Sequence, residues 1–80
     1  MGICSIVKNR LMVLMNEKDL SIHKLAMLSA VPPSTIKNIL YGKSKNPGIV
    51  TLKMLCDGLE ISLIEFFDAD EFHALEQEIR

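Results

Sequence analysis

Apolar residues along the chain recur at intervals of three and four, and no stretch alternates β-branched with polar residues. The pattern predicts an all-α chain with no strands. Ile3, Val7, Leu11 and Leu14 share one face of a first helix that ends near Glu17. Asp19-Leu20-Ser21 breaks it. Ser21 is suited to cap a second helix, and Leu20 can staple against Leu25. The second helix runs from Ile22 to about Ser29, with Leu25, Ala26 and Leu28 inward. Pro32 and Pro33 follow. Proline is excluded from a helix interior but suits a first helical position, where its missing N–H costs nothing. Pro33 therefore opens a third helix, with Ile36, Ile39 and Leu40 facing the core and Gly42 closing it. After a polar, basic loop from Lys43 to Gly48, a fourth helix carries Leu52, Leu55, Cys56 and Leu59 as its apolar stripe. In the fifth, Ser62 and Glu65 have the spacing of a capping box, Ile61 and Phe66 that of a staple, and Leu63, Phe66 and Phe67 point inward. From Asp68 onward the chain reads as an acidic terminal helix or frayed tail, with Phe72, Leu75 and Ile79 keeping a weak apolar face.

Composition narrows what these helices can be. At 80 residues and 49% apolar, the chain makes one domain with one small core, aliphatic and Met-filled because there is no Trp. The methionines at 1, 12, 15, 27 and 54 are expected mostly as core filler, with Met27 left open between core and surface. Charged residues interrupt every apolar run before it reaches the ~18 residues of a membrane span. The opening MGICSIVKNR lacks the cleavage pattern of a signal peptide, so a cytoplasmic protein is expected. Cys4 and Cys56, the only cysteines, are too few for a disulfide scaffold and read as free, mostly buried thiols. His23 and His73 lie fifty residues apart, and no His or Cys pair has ligand spacing. No metal or cofactor is expected. Neither a Ser-His-Asp order nor a phosphate-binding glycine loop nor a close carboxylate pair is visible, so an enzyme is not expected.

The net charge of −1 hides two opposite blocks. Residues 1–56 carry eight Lys and Arg against Glu17 and Asp19, a net of +6; residues 57–80 carry eight acids against Arg80, a net of −7. From Lys37 to Lys53 there are four lysines and no acid. Such a segment favours a polyanion, and the acidic segment is repelled by one. Charge alone does not separate this from a solvated lysine face.

Two short helices joined by a tight turn form a helix-turn-helix, whose second helix enters the DNA major groove. Ala26 must be small where the helices cross, and Leu25, Val31, Ile36 and Ile39 must be apolar to lock the crossing. The outer face of the second helix then offers Ser34, Thr35, Lys37 and Asn38 beside the apolar Pro33. Asn can bond adenine in a bidentate way, and Lys can reach guanine. The segment Leu20 to Phe67 resembles the phage-repressor (Cro-like, XRE-type) helix-turn-helix family. The matching features are Leu20-Ser21 with Leu25-Ala26, then Val31, Ser34, Thr35, Ile36 and Ile39. Gly42, Asn46-Pro47, Thr51-Leu52, Leu59 and Ile61-Ser62-Leu63 complete the pattern. The resemblance covers about 48 of 80 residues without gaps.

The resemblance implies a compact five-helix, lambda-repressor-like domain over residues 1–68, with the helix-turn-helix at 21–41 and an acidic terminal helix or tail at 69–80. It implies a recognition helix at 33–40 in which Ser34, Lys37 and Asn38 read bases, and Thr35 and Pro33 meet base or phosphate. His23 and Lys24 would lie over the DNA backbone, and Lys43, Ser44, Lys45 and Asn46 would touch flanking phosphates. Four positions depart from the family pattern. Ile22 replaces a frequent Gln and cannot contact phosphate, Ala30 replaces the turn glycine, Pro33 replaces a side chain that often reads a base, and Glu60 replaces a helix-ending glycine. Two functions follow. In the first the protein is a nucleoid-associated transcriptional regulator, a repressor, bound to double-stranded DNA as a homodimer through Ile64, Phe72, Leu75 and Ile79. In the second it is an interaction module or antitoxin-type protein on the same fold, docking a basic protein partner through its acidic segment. The terminal residues either build the dimer or fold back over their own core.

Overall fold

The computed structural model describes residues 2–79. Those residues form six helices and no strand: α1 (Ile3–Glu17), α2 (Ile22–Ser29), α3 (Pro33–Leu40), α4 (Ile49–Leu59), α5 (Leu63–Phe67) and α6 (Asp70–His73). Five helices and a short acidic sixth match the predicted architecture. Packing of α2 on α4 and on α3, of α3 on α1, and of α5 on α4 encloses one core. That core comprises Val7, Leu11, Leu14 and Met15 of α1, Leu25 and Val31 around the α2–α3 turn, Ile36 and Ile39 of α3, Leu52, Leu55, Cys56 and Leu59 of α4, and Phe66 of α5.

Local signals set the helix boundaries. The Ser21 hydroxyl accepts from the Lys24 amide at 3.1 Å, and both halves of the Ser62–Glu65 capping box form, at 3.0 and 3.1 Å. Three helices end in the same motif, in which the chain turns left-handed and two amides return to carbonyls of the last turn. After α1, Leu20 N–H bonds the Met15 carbonyl and Asp19 N–H that of Asn16. After α3, Lys43 and Gly42 return to Asn38 and Ile39; after α4, Ile61 and Glu60 return to Cys56 and Asp57. The left-handed residues are Asp19 (φ 55°), Gly42 (φ 75°) and Glu60 (φ 60°), so only α3 uses glycine.

The inward set differs from expectation at a few positions. Leu28 is 51% exposed, because the buried stripe of α2 runs instead through Leu25 and Ser29. Ile3 is exposed, and Ile6 and Met15 are buried in its place on α1. Met12 and Met27 lie at the surface, so they are not core filler; Met1 lies outside the described residues. Cys56 is buried and Cys4 half-buried, both as free thiols. Ala26 is half-buried, and a second close approach is found at Gly58, where α4 crosses α2. A Cβ placed on Gly58 would lie 2.8 Å from the Ser29 Cβ and 3.0 Å from its Cα and amide nitrogen.

The terminal segment folds back. Phe72 is half-buried against the core, with its ring 4.9 Å from that of Phe67 and 6.4 Å from that of Phe66. Leu75 is half-buried, and Ile64 and Ile79 are 82% and 84% exposed. Arg10 of α1 fastens α5 from the other side: its guanidinium donates to the carbonyls of Phe66 and Glu65, both at 2.7 Å.

Candidate nucleic-acid interface

Ser29 and Ala30 set the angle between α2 and α3. The buried Ser29 hydroxyl donates to the Leu25 carbonyl at 2.7 Å and accepts from the Val31 amide at 3.3 Å, so both polar groups at this buried turn are satisfied. Ala30, in place of the family's turn glycine, takes the left-handed conformation (φ 60°, ψ 21°). Val31 then plugs into the core, and Pro32 caps α3 through its carbonyl, which accepts from Thr35 and Ile36 at 3.0 and 3.2 Å. Pro33 occupies the first helical turn as predicted.

Burial of Ile36 and Ile39 turns the opposite face of α3 outward. Ser34, Lys37 and Asn38 are exposed on it, and Pro33 and Thr35 are half-buried at its edge. The loop after α3 is drawn against the helix end, because the Asn38 carbonyl accepts from the amides of both Lys43 and Ser44, at 2.9 and 3.0 Å. In that loop Lys43, Lys45 and Asn46 are exposed and Ser44 is half-buried. His23 and Lys24 are exposed at the start of α2. Ile22 packs partly against the core, an apolar role in place of a polar one. Lys53 is the exception in the basic stretch: it pairs with Asp57 one turn along α4, so its charge is partly answered within the helix.

Sequence reasoning missed how α1 meets this surface. The Cys4 thiol donates to the Lys45 carbonyl at 2.8 Å, and Cys4, Ser5 and Lys8 line a small cleft with Gly42, Ser44 and Lys45. No periodicity signals this contact, since the partners are 41 residues apart. Among the described residues no group of three or more His, Cys, Asp or Glu is placed to hold a metal ion, and no helix is long and apolar enough to cross a membrane.

A short helix, a turn, and a second helix with a polar, basic outer face define a DNA-binding helix-turn-helix. Residues 10–71 match the profile of the Cro/C1-type HTH DNA-binding domain. The chain belongs to that family. It is also similar to a solved structure, the prophage Lp1 protein 11, at 33% identity and a TM-score of 0.78, with 90% of this chain and 96% of that one covered. No curated protein sequence matches the chain.

Proposed function

We propose that the protein is a sequence-specific transcriptional repressor that binds its operator as a homodimer, with α3 in the major groove. The observation that carries this reading is the outward face of α3, where Ser34, Lys37 and Asn38 stand exposed opposite the buried Ile36 and Ile39. Lys37 and Asn38 supply hydrogen bonds to base edges, and Ser34 reaches a neighbouring base. Thr35 and Pro33, at the helix edge, meet base or backbone. His23, Lys24, Lys43, Ser44, Lys45 and Asn46 hold phosphates and set the register of the helix without reading sequence. A pair of such domains places two recognition helices about 34 Å apart, one helical turn of DNA. The dimer surface is α5 with the terminal segment: Ile64 and Ile79 supply the exposed apolar contacts, Leu75 borders them, and Phe72 supports them from inside its own chain. Such a protein works in the cytoplasm, on the nucleoid.

The test is fluorescence anisotropy with the DNA upstream of the protein's own gene, at two salt concentrations with random DNA as competitor. Selective binding that weakens steeply with salt is expected. Binding no better than to random DNA overturns an operator in that fragment and shifts the reading to the interaction module, docking a basic partner through its acidic segment.

A further inference from the structure

Tyr41 stands one residue past α3 and continues its outward stripe. Its amide donates to the Lys37 carbonyl at 2.9 Å, a helical bond that keeps residue 41 in phase although α3 ends at Leu40. At 3.6 residues per turn, Ser34, Lys37, Asn38 and Tyr41 fall within about 100° of one another, opposite the buried Ile36 and Ile39. Tyr41 lies near the middle of that stripe. About 10 Å of helix axis separates it from Ser34, the length of about three base pairs. The turn that follows is tied back to Ile39 and Asn38, so the ring projects from fixed backbone. The side chain is 65% exposed. Among the described residues, ring pairs join only Phe66, Phe67 and Phe72, and the Tyr41 hydroxyl makes no hydrogen bond. Tyr41 is thus the one aromatic residue outside the α5–α6 cluster, and it sits on the face assigned above to base reading.

We infer that Tyr41 is a further specificity-determining residue, whose ring packs on a thymine C5-methyl group at the far end of the base-reading stripe. The inference rests on the reading of α3 as the recognition helix. A helix entering the major groove brings its N-terminal residues nearest the base edges, so a side chain at its C-terminal end must be long to keep contact. The stripe accordingly begins with the short Ser34 and ends with the long, stiff Tyr41. The thymine methyl is the apolar group that base pairs present in the major groove, and it suits a ring face. Covering the ring and the methyl together removes apolar surface from water on both sides, a gain that no phosphate contact supplies. Tyr41 thereby selects thymine at one position of each half-site, beyond the bases read by Lys37 and Asn38.

The probe is a set of duplexes enriched by the full chain from a randomised library. Each thymine of the enriched half-site is replaced in turn by deoxyuridine, which removes the C5-methyl and keeps the base pairing. Affinities of the parent, Y41F, Y41A and K37A are then measured by anisotropy. For the parent, one deoxyuridine position should weaken binding about three- to fivefold, the value of one buried methyl group. Y41F should follow the parent. Y41A should bind the thymine duplex at least that much more weakly and be indifferent to the methyl at that position. Thermal melting should be alike in the parent and both Tyr41 variants, because the side chain is exposed. Enriched half-sites that share no thymine, or a Y41A chain that still responds to every methyl, would refute the contact. If Y41F loses as much as Y41A, on enriched and random duplexes alike, the hydroxyl holds a phosphate and the proposal falls. Lost selectivity in K37A beside an unchanged Y41A would keep the recognition helix and sink the role of Tyr41 alone. No enrichment by the parent would end the recognition-helix reading itself, and the thymine contact with it.

Discussion

The helix ends at Asp19, Gly42 and Glu60 allow a reciprocal test, because one backbone motif is built with three different residues. An L-residue in the left-handed region costs about 1–2 kcal/mol, from the clash of its Cβ with the following carbonyl. Glycine avoids that cost but gives the unfolded chain more freedom, worth about 0.4–1 kcal/mol against folding. Glu60→Gly should therefore stabilise the domain by roughly 0.5–1 kcal/mol. For a domain of this size the melting temperature would rise by roughly 2–8 °C. Gly42→Ala reverses the change. Nothing lies within 4 Å of a Cβ at Gly42, so crowding adds nothing and the loss should be of the same size. Asp19→Gly should gain less than Glu60→Gly, since Asp visits the left-handed region more readily. Urea and thermal unfolding followed by circular dichroism measure all three. A lower midpoint for Glu60→Gly, or an unchanged one for Gly42→Ala, would refute the assignment of strain to these positions.

Further outcomes are expected at the crossing, the DNA face and the thiols. Gly58→Ala should destabilise by about 1–3 kcal/mol despite its better helix propensity, because its Cβ meets the backbone of Ser29, which cannot swing aside; an unchanged unfolding midpoint would refute that packing. Replacing Lys37 or Asn38 by Ala should cost roughly 1–3 kcal/mol of operator affinity and relax specificity at one base pair, whereas Lys43→Ala or Lys45→Ala should weaken all sequences and flatten the salt dependence. Equilibrium titrations against operator and scrambled duplexes separate the two classes. Burial pushes the Cys56 thiol above its ordinary range; nearby Lys53 opposes this, and Asp57 adds to it. Iodoacetamide should therefore label Cys4 well before Cys56, read by mass spectrometry of the intact chain. A thiol whose pKa is raised in the folded state favours folding below its unfolded value, and that contribution fades as pH climbs through the raised one. Alkaline unfolding should thus ease in C56A relative to the parent, once the cavity cost at neutral pH is subtracted.

Most of the architecture was legible because its determinants are local. Ser21, Pro33 and the Ser62–Glu65 pair act on amides within three residues of themselves, so spacing alone reveals them. The same holds for the outward face of α3, which follows once Ile36 and Ile39 are buried. Leu28 shows where pattern reading goes wrong. An eight-residue helix has room for one buried stripe, and on α2 a serine holds a place in it because its hydroxyl finds the Leu25 carbonyl. Hydropathy favours leucine over serine for that stripe, whereas hydrogen bonding decides the matter. Contacts between distant residues were also hidden. Cys4 with Lys45, Arg10 with Phe66, and Ile3 with Glu78 are single polar bonds between segments brought together only by the finished fold.

The grip of Arg10 on the carbonyls of Glu65 and Phe66 has a consequence for the order in which the molecule comes apart. Five residues are far too few for a helix to persist by itself, so α5 borrows its order from the fifteen-residue α1 and from the buried Phe66 ring. Amide exchange should therefore release α5 together with α1 in one cooperative opening, with residues 74–79 exchanging ahead of both. In R10A the amides of α5 should exchange early, alongside the terminal residues, leaving α2 to α4 as the slow core. Local disorder at the far end of the chain would then be a property written into its tenth residue.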